Sequence, residues 1–175
     1  MLCIDGGDTQ AWTDSTYNVD KSGMYVKGGP LGCMGVGVPF AIGSKVAFPE
    51  RQVVLITGDG AVGMNLMEFE TAVKHNIPFV CVVCNDQSWG MTKHQHWLTY
   101  GEDKTPAGHE LPFIKFHEIV IAMGGHGELV EDPKDLIPAM ERATKSGLPS
   151  LINVMTNPNA TSAATHAITA MMTRT

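Results

Sequence analysis

A glycine-rich turn that carries one carboxylate is the segment of this sequence best suited to chemistry. Residues 58–63 read Gly-Asp-Gly-Ala-Val-Gly and join an apolar run to the start of a helical pattern. They match G-x-G-x-x-G, and Asp86 follows the next apolar run, as an acidic residue does in dinucleotide-binding units. Glycines let backbone amides approach phosphate oxygens, and a helix N-terminus favours an anion. The turn therefore predicts a phosphate-binding site.

The side chain of Asp59 indicates which of two kinds of phosphate ligand the turn would bind. Its carboxylate would lie beside a bare pyrophosphate, and two like charges 4 Å apart repel by about 4 kcal/mol at an effective dielectric of 20. Bound Mg²⁺ turns this repulsion into coordination, because Mg²⁺ is held by one or two carboxylates together with phosphate oxygens. Asp86 is then a second ligand, since neighbouring parallel strands end side by side. These arguments favour a metal-bridged diphosphate over a dinucleotide. A third interpretation, in which Asp59 only caps the following helix, stays open.

The elements that must position these residues alternate between short apolar runs and amphipathic segments, which is typical of an α/β fold with a mainly parallel sheet. Strands are predicted over residues 53–57, 79–84, 129–130 and 150–155, and helices over residues 34–48, 64–75, 113–123 and 133–145. Residues 85–108 are polar and turn-rich, and we expect them to form a functional loop. The predicted architecture is a three-layer α/β/α sandwich formed by residues 1–155, followed by a C-terminal tail of residues 156–175.

Composition sets limits on the partners of the chain. The 175 residues include 18 Asp and Glu against 12 Lys and Arg, which gives a formal net charge of -6. This acidic balance argues against a nucleic-acid surface, which needs clustered basic residues. No apolar run approaches the roughly 18–20 residues needed to cross a bilayer, and no signal-peptide pattern follows Met1. We expect a single globular domain without a membrane or nucleic-acid partner.

The cysteines and histidines give weaker signals. Cys81 and Cys84 form C-x-x-C inside an apolar strand, where positions three apart face opposite sides, so we expect reduced core thiols and a cytoplasmic location. His94 and His96 can chelate a metal together if they lie on a strand, but a solvated polar loop is the favoured interpretation. His75 is expected to be a charge partner at a helix end.

Two ordered blocks of the sequence resemble the thiamine diphosphate-dependent enzymes. The first runs from the Gly-Asp-Gly of residues 58–60 to Asn85-Asp86, with the spacing between Asp59 and Asp86 that is typical of the family. The second, residues 31–43, is similar to the LGxMGxGLPxAIGA stretch of acetolactate synthase-type enzymes. Residues 87–90, Gln-Ser-Trp-Gly, resemble benzaldehyde lyase.

The resemblance implies a set of site residues. Asp59 and Asp86 would coordinate Mg²⁺ through their side chains and Ser88 through its backbone carbonyl, although the family more often has Asn at the position of Asp86; Mn²⁺ or Ca²⁺ can also serve. Gly32 would contact the aminopyrimidine ring and Met34 would hold the cofactor bent, so these two are the expected catalytic residues. The full expected cofactor-binding set is Gly32, Met34, Gly58, Asp59, Gly60, Ala61, Val62, Asp86, Ser88, Trp89, Gly90 and Met91.

The implied activity is that of a C–C lyase or carboligase acting on 2-oxo acids or 2-hydroxy ketones, with Trp89, Met91 and His94 nearest the substrate. In such enzymes a Glu from a separate pyrimidine-binding domain activates the cofactor. This chain would then hold half of a site, within a homodimer or homotetramer. We therefore expect an exposed apolar docking surface around residues 34–48 and the metal loop. An NAD(P)-dependent oxidoreductase domain and a non-catalytic scaffold are the alternatives.

Overall fold

A single parallel sheet organises the molecule. The computed structural model describes residues 1–104 and 107–173, and within them six strands pair in the order β2-β1-β3-β4-β6-β5. Every pair is parallel. The strands are β1 (Leu2–Ile4), β2 (Tyr25–Val26), β3 (Val54–Gly58), β4 (Val80–Asn85), β5 (His126–Val130) and β6 (Ser150–Met155). The predicted α/β class with a parallel sheet is confirmed.

Helices cover both faces of the sheet. They are α1 (Asp8–Thr16), α2 (Gly37–Ala47), α3 (Asp59–Asn65), α4 (Glu68–Lys74), α5 (Gly90–Tyr100), α6 (Phe116–Ala122), α7 (Leu136–Ser146) and α8 (Ala163–Met172). On one face, residues of α2, α4 and α6 pack on β1, β3, β4 and β6 in the larger core cluster. On the other face, α7 supplies Ala139 and Ala143 to a second cluster. The burial of apolar residues on both faces explains the continuous apolar runs of β3 and β4.

Three parts of the chain differ from the sequence predictions. The helix predicted over residues 64–75 begins at Asp59 and is divided into α3 and α4. The loop prediction is wrong for Gly90–Tyr100, which form α5. Since the buried residues of α5 are polar, Lys93 and His94, its sequence lacks apolar periodicity. Outside the predicted elements, β1, α1 and β2 occupy the first 26 residues, and α8 lies within the segment taken as a tail.

Three adjacent strands bring the candidate site together. β1, β3 and β4 are neighbours, and their carboxyl ends lead directly into Asp5, Asp59 and Asp86. Asp5 has a structural role, because its Oδ2 atom accepts a hydrogen bond of 2.7 Å from the Gly37 amide at the start of α2. Ligands of open α/β sheets bind at this edge. Across residues 1–104 and 107–173, no helix is both long and apolar enough to span a bilayer.

Candidate functional site

A cavity of about 730 Å³ opens at the carboxyl ends of β1, β3 and β4. This volume is typical of a site for a small molecule or cofactor. The predicted site residues that line it are Gly32, Met34, Gly58, Asp59, Gly60, Ala61, Asp86, Ser88, Trp89, Gly90 and Met91. Val62 is not among the lining residues, and its side chain packs in the larger core cluster. The fold therefore gathers two separated sequence blocks around one cavity.

Asp59 is a buried carboxylate with one unused oxygen. The residue is 5% exposed, and its Oδ1 atom accepts a hydrogen bond of 2.8 Å from the Gly60 amide. Its Oδ2 atom is buried and has no hydrogen-bond partner among the described residues. Burial, and then the charge of Asp86, raise the pKa of Asp59 to about 6. Because an unpaired buried carboxylate oxygen is costly, this atom marks a place for a cation.

The capping interpretation of Asp59 does not fit the structure. Gly58 is the N-cap of α3, and Asp59 is the first residue inside the helix. No side chain makes the cap hydrogen bond of α3. One carboxylate oxygen of Asp59 thus bonds to the Gly60 amide in the first turn of α3, and the other is left without a partner among the described residues.

Asp86 lies on a loop that internal hydrogen bonds hold in place. Its Oδ1 atom accepts from the Ser88 amide at 3.2 Å, and its Oδ2 atom accepts from the Ser88 hydroxyl at 2.8 Å. Gln87 takes the left-handed conformation at φ 56°. The amides of Trp89 and Leu111 tie the loop to a second segment through bonds of 2.7 and 2.8 Å. The second carboxylate is thus fixed beside the turn that carries the first.

The two carboxylates fit a magnesium–diphosphate unit better than a metal held by protein alone. The described residues contain no cluster of three or more His, Cys, Asp or Glu side chains suited to a metal. Mg²⁺ does not require such a cluster, because it is usually bound through one or two carboxylates plus phosphate oxygens and water. Asp59 and Asp86 supply that number of carboxylates, and the unpaired Oδ2 atom of Asp59 is available to coordinate the metal.

Trp89 covers the glycine-rich turn. A Cβ atom at Gly60 would lie 2.5 Å from the Trp89 ring, so only glycine fits there without displacing the ring. At Gly63, by contrast, a Cβ atom would meet no described atom within 4 Å. The turn needs glycine at residue 60 because the Trp89 ring packs there, whereas a Cβ atom at residue 63 would have room.

The block around Met34 forms another side of the cavity. Gly32 takes the left-handed conformation at φ 63° directly after the short 3-10 turn Gly29–Leu31. Met34 lines the cavity and remains half-exposed, at 42%. Leu31, three residues before it, is 87% exposed, and Met64, whose side chain lies close to Gly35, is 50% exposed. Met67 is 68% exposed, and on α2 itself Val46 is 62% exposed. Exposed apolar residues thus occur in the region where a docking surface was predicted.

Residues that sequence reasoning missed form the remaining side. The cavity is also lined by Asp5, Gly6, Gly7, Asp8, Thr9 and Trp12 near α1, and by Thr156, Asn157, Ala160 and Ile168 near α8. The signal for the first group was available: a short apolar run, residues 2–4, precedes Asp-Gly-Gly-Asp-Thr, a glycine-rich turn that enters a helix. The second group had no local signal, because Thr and Ala dominate that segment.

The interpretations of His94 and His96 are corrected. Both residues lie on α5, where a separation of two places side chains on nearly opposite faces, so they cannot chelate one metal as strand residues would. His94 is 1% exposed and does not belong to a solvated loop. Its Nδ1 atom lies 2.6 Å from Oδ2 of Asp8. The His96 ring packs against the Tyr100 ring at a tilt of 47°, with centroids 4.7 Å apart.

The remaining cysteines and histidines lie mainly in structural positions. Cys3, Cys33, Cys81 and Cys84 are free thiols. Cys81 is in the core and Cys84 lines the cavity, as expected for strand positions that face opposite sides. His126 pairs with Glu128 at 2.7 Å, and His166 lies 2.8 Å from the Thr161 hydroxyl.

Comparisons with known proteins agree with this geometry. Residues 5–154 match the family model described as thiamine pyrophosphate enzyme, C-terminal TPP binding domain. A probable acetolactate synthase of Mycobacterium bovis is 42% identical over 160 residues, which cover 91% of this chain and 29% of that protein. The mouse 2-hydroxyacyl-CoA lyase 2 is 33% identical over 140 residues, or 78% of this chain and 21% of that protein.

A solved structure gives the same picture. The thiamine diphosphate-dependent 4-hydroxybenzoylformate decarboxylase of Rhodococcus jostii RHA1 superimposes with a TM-score of 0.81 at 25% identity, covering 90% of this chain and 29% of that one. The chain thus spans less than a third of the length of each of these proteins.

Proposed function

We propose, from the premise that this chain belongs to the thiamine pyrophosphate enzymes as a C-terminal TPP binding domain, that it holds the diphosphate of the cofactor through Mg²⁺ bound to Asp59 and Asp86. The observation that carries the proposal is the buried Oδ2 atom of Asp59, which has no hydrogen-bond partner among the described residues. A divalent cation would satisfy this atom and offset the repulsion between Asp59, Asp86 and a diphosphate.

The other cavity residues have matching tasks in the proposal. Ser88 would add its backbone carbonyl to the metal, and Ala61 would donate its backbone amide to the diphosphate, since the Gly60 amide already donates to Asp59. Gly32 would accept from the pyrimidine end of the cofactor, while the Met34 side chain would support its bent shape. When bound, thiamine diphosphate supplies the electron sink that lets a bond next to a carbonyl carbon break or form. Trp89 and Met91 line the cavity and would exclude water there.

The whole protein is proposed to be a lyase or carboligase that acts on 2-oxo acids or 2-hydroxy ketones. Support comes from the names of the relatives, which include an acetolactate synthase, a 2-hydroxyacyl-CoA lyase and a 4-hydroxybenzoylformate decarboxylase. A pyrimidine-binding domain would supply the activating Glu and would dock on the exposed apolar residues Leu31, Met34, Met64 and Met67. We propose that this domain belongs to a second copy of the whole protein, so that the protein forms a dimer or a tetramer. The four free thiols support a reducing, cytoplasmic location.

The dinucleotide alternative has less support at the same turn. In a dinucleotide-binding unit the third glycine allows close packing between helix and strand. Here a Cβ atom at Gly63 would meet no described atom within 4 Å, so the turn does not need that glycine for packing.

Calorimetric titration of the protein that contains this chain tests the proposal. We expect thiamine diphosphate to bind in the presence of Mg²⁺ and to lose its affinity when EDTA is added. Asp59→Asn should lower the affinity by about a thousandfold, equivalent to about 4 kcal/mol, because it removes a charged metal ligand. Asp20→Asn, a change at an exposed loop position, is the matched control and should bind normally. Binding of NAD that is insensitive to EDTA, without binding of thiamine diphosphate, would overturn the proposal.

A further inference from the structure

A buried histidine beside the cavity makes hydrogen bonds through both ring nitrogens. Nδ1 of His94 lies 2.6 Å from Oδ2 of Asp8, and Nε2 lies 2.9 Å from the backbone oxygen of Pro158. Both partner atoms are acceptors, so both ring nitrogens must donate. A ring that donates from both nitrogens is an imidazolium, and His94 is therefore a buried cation.

The shift in the pKa of His94 agrees with this geometry. Burial alone would lower the pKa, but the hydrogen bonds to Asp8 and to the Pro158 carbonyl outweigh burial and raise it above the ordinary 6.5. The Trp97 ring packs against His94 with centroids 5.4 Å apart.

The charged groups around His94 come from several elements. Asp8 faces it from α1, and Lys93 on α5 donates to the same Pro158 oxygen at 2.5 Å. Glu102 and His166 line a small pocket next to it. Residues 156–165, which approach from the C-terminal side, carry no charged side chain.

Asp8 is the anion that His94 balances, and it lines the cofactor cavity. Its Oδ1 atom accepts from the Thr165 hydroxyl at 2.8 Å, so both of its oxygens have partners. Oδ2 of Asp8 and Oδ2 of Asp86 lie 3.0 and 2.7 Å from the position that a Cβ atom would take at Gly90. Asp8 is therefore a close neighbour of the proposed metal–diphosphate site, where a further unbalanced negative charge would repel an anionic ligand.

We infer that His94 is a positioning residue for the diphosphate end of the cavity: it neutralises and orients Asp8 and, through Pro158, holds the wall of residues 156–160 in place. This inference rests on the proposed function, because it concerns the affinity of the same site for a diphosphate. His94 acts through Asp8 and Pro158 and does not itself line the cavity.

A purely structural role for His94 makes a different prediction. If His94 only tied α5 to the C-terminal segment, its replacement would weaken cofactor binding by the same factor at every pH. If its charge balances Asp8, the effect depends on protonation. The contribution of the imidazolium is complete below pH 6.5 and is lost as the pH rises through the raised pKa of His94.

The test compares three forms of the protein with its partner domain present. Wild type, His94→Gln and Thr165→Val are titrated with thiamine diphosphate in excess Mg²⁺ between pH 6 and pH 9. His94→Gln keeps a polar side chain without the charge. Thr165→Val is the matched control, since it removes a neutral hydrogen bond to the same carboxylate. Asp59 is common to all three forms, so differences between their pH profiles do not come from its titration.

We expect His94→Gln to bind about tenfold more weakly than wild type at pH 6, the scale of one charge-assisted hydrogen bond. This ratio should shrink as the pH rises, whereas Thr165→Val should keep the wild-type pH profile. The inference would be overturned if the factor by which His94→Gln weakens binding is constant across the pH range. It would also be overturned if the affinity of this variant stays within twofold of the wild-type affinity at every pH.

Nitrogen-15 NMR of the His94 ring in wild type is a second readout that needs no variant and no cofactor. Two protonated ring nitrogens at pH 6 are expected, and a single protonated nitrogen would overturn the inference even if the variants do not fold. Absence of wild-type binding to thiamine diphosphate with Mg²⁺ would contradict the proposed function instead, which keeps the two failures distinguishable.

Discussion

Two carboxylates line the same cavity but differ in how their oxygens are satisfied. Asp8, at the start of α1, has a hydrogen-bond partner on each oxygen: Thr165 on Oδ1 and His94 on Oδ2. Asp59, at the end of β3, leaves its buried Oδ2 atom without a partner in the described part of the chain. Asp8 is thus satisfied by the protein, whereas Asp59 keeps one oxygen open to a ligand. Asp86, the other proposed metal ligand, differs from Asp59 in this respect, because both of its oxygens accept hydrogen bonds from Ser88 of its own loop.

The same contrast extends to the two walls of the cavity. The wall at the ends of β3 and β4 consists of a glycine-rich turn and a loop, which contribute Asp59 and Asp86 to the lining of the cavity. The wall formed by α1, α5 and α8 is held by side-chain bonds that link positions far apart in the chain, such as Thr165 with Asp8. In the proposed function, the first wall provides the ligand-binding groups and the second holds the shape of the cavity.

The strongest test of the contrast replaces each carboxylate in metal-free protein. Asp8→Ala should lower the free energy of unfolding by about 3 kcal/mol, because it leaves the buried imidazolium of His94 without its counter-charge. Asp59→Asn should instead raise the free energy of unfolding by about 1 kcal/mol, since it removes a buried, unpaired charge. Urea unfolding at pH 7 in the presence of EDTA measures both changes. If both variants shift stability in the same direction, the distinction between the two carboxylates is wrong.

The two walls also differ in how far the sequence predicts them. The wall at β3 and β4 and the side around Met34 were predicted because their residues are contiguous in sequence. The turn at residues 58–63, the Asn85-Asp86 pair and the block at residues 31–43 each carry a local pattern. Strand positions and the parallel sheet followed from the apolar runs, whose burial on both faces requires apolar residues at successive positions.

Apart from Gly90 and Met91 at the start of α5, the wall of α1, α5 and α8 was not predicted, because tertiary contacts create it. β1 has only three residues, so its apolar run indicates a strand only together with the glycine-rich turn that follows it. Helix α5 buries Lys93 and His94, polar residues that no apolar pattern marks, and their burial depends on Asp8 and Pro158 from distant segments. The charge of His94 likewise depends on which two acceptors the fold brings to its ring.

A second test concerns the side of the cavity formed by the block around Met34. Leu31 is 87% exposed there, and we expect a pyrimidine-binding domain to cover it. Leu31→Glu should weaken association with that domain by about 2 kcal/mol, the scale of burying one leucine, and so by about thirtyfold. Ile137→Glu is the matched control, since Ile137 is 69% exposed on α7 at the other face of the sheet.

Sedimentation velocity of the full-length protein measures the association. Only the Leu31 variant should dissociate at micromolar concentration. Equal dissociation of the Leu31 and Ile137 variants would show that general surface charge, and not a docking face near Leu31, controls assembly.

The smallest expected effect separates two glycines of the same turn. Gly63→Ala should raise the free energy of unfolding by about 0.5–1 kcal/mol, because alanine is the better helix former and its Cβ atom meets nothing within 4 Å. Its affinity for thiamine diphosphate should be unchanged. Gly60→Ala should instead lose about 1 kcal/mol of stability, since its Cβ atom would lie 2.5 Å from the Trp89 ring and must displace it.

Thermal unfolding together with calorimetry of both glycine variants checks this prediction. A loss of stability and of cofactor affinity in Gly63→Ala would mean that the third glycine of G-x-G-x-x-G is required for helix–strand packing, as in a dinucleotide-binding unit. Tolerance at residue 63 with intolerance at residue 60 is the pattern expected of a turn whose second glycine makes room for Trp89. That pattern would show that the turn carrying Asp59 packs on the loop carrying Asp86, so that one packed unit positions the two proposed metal ligands.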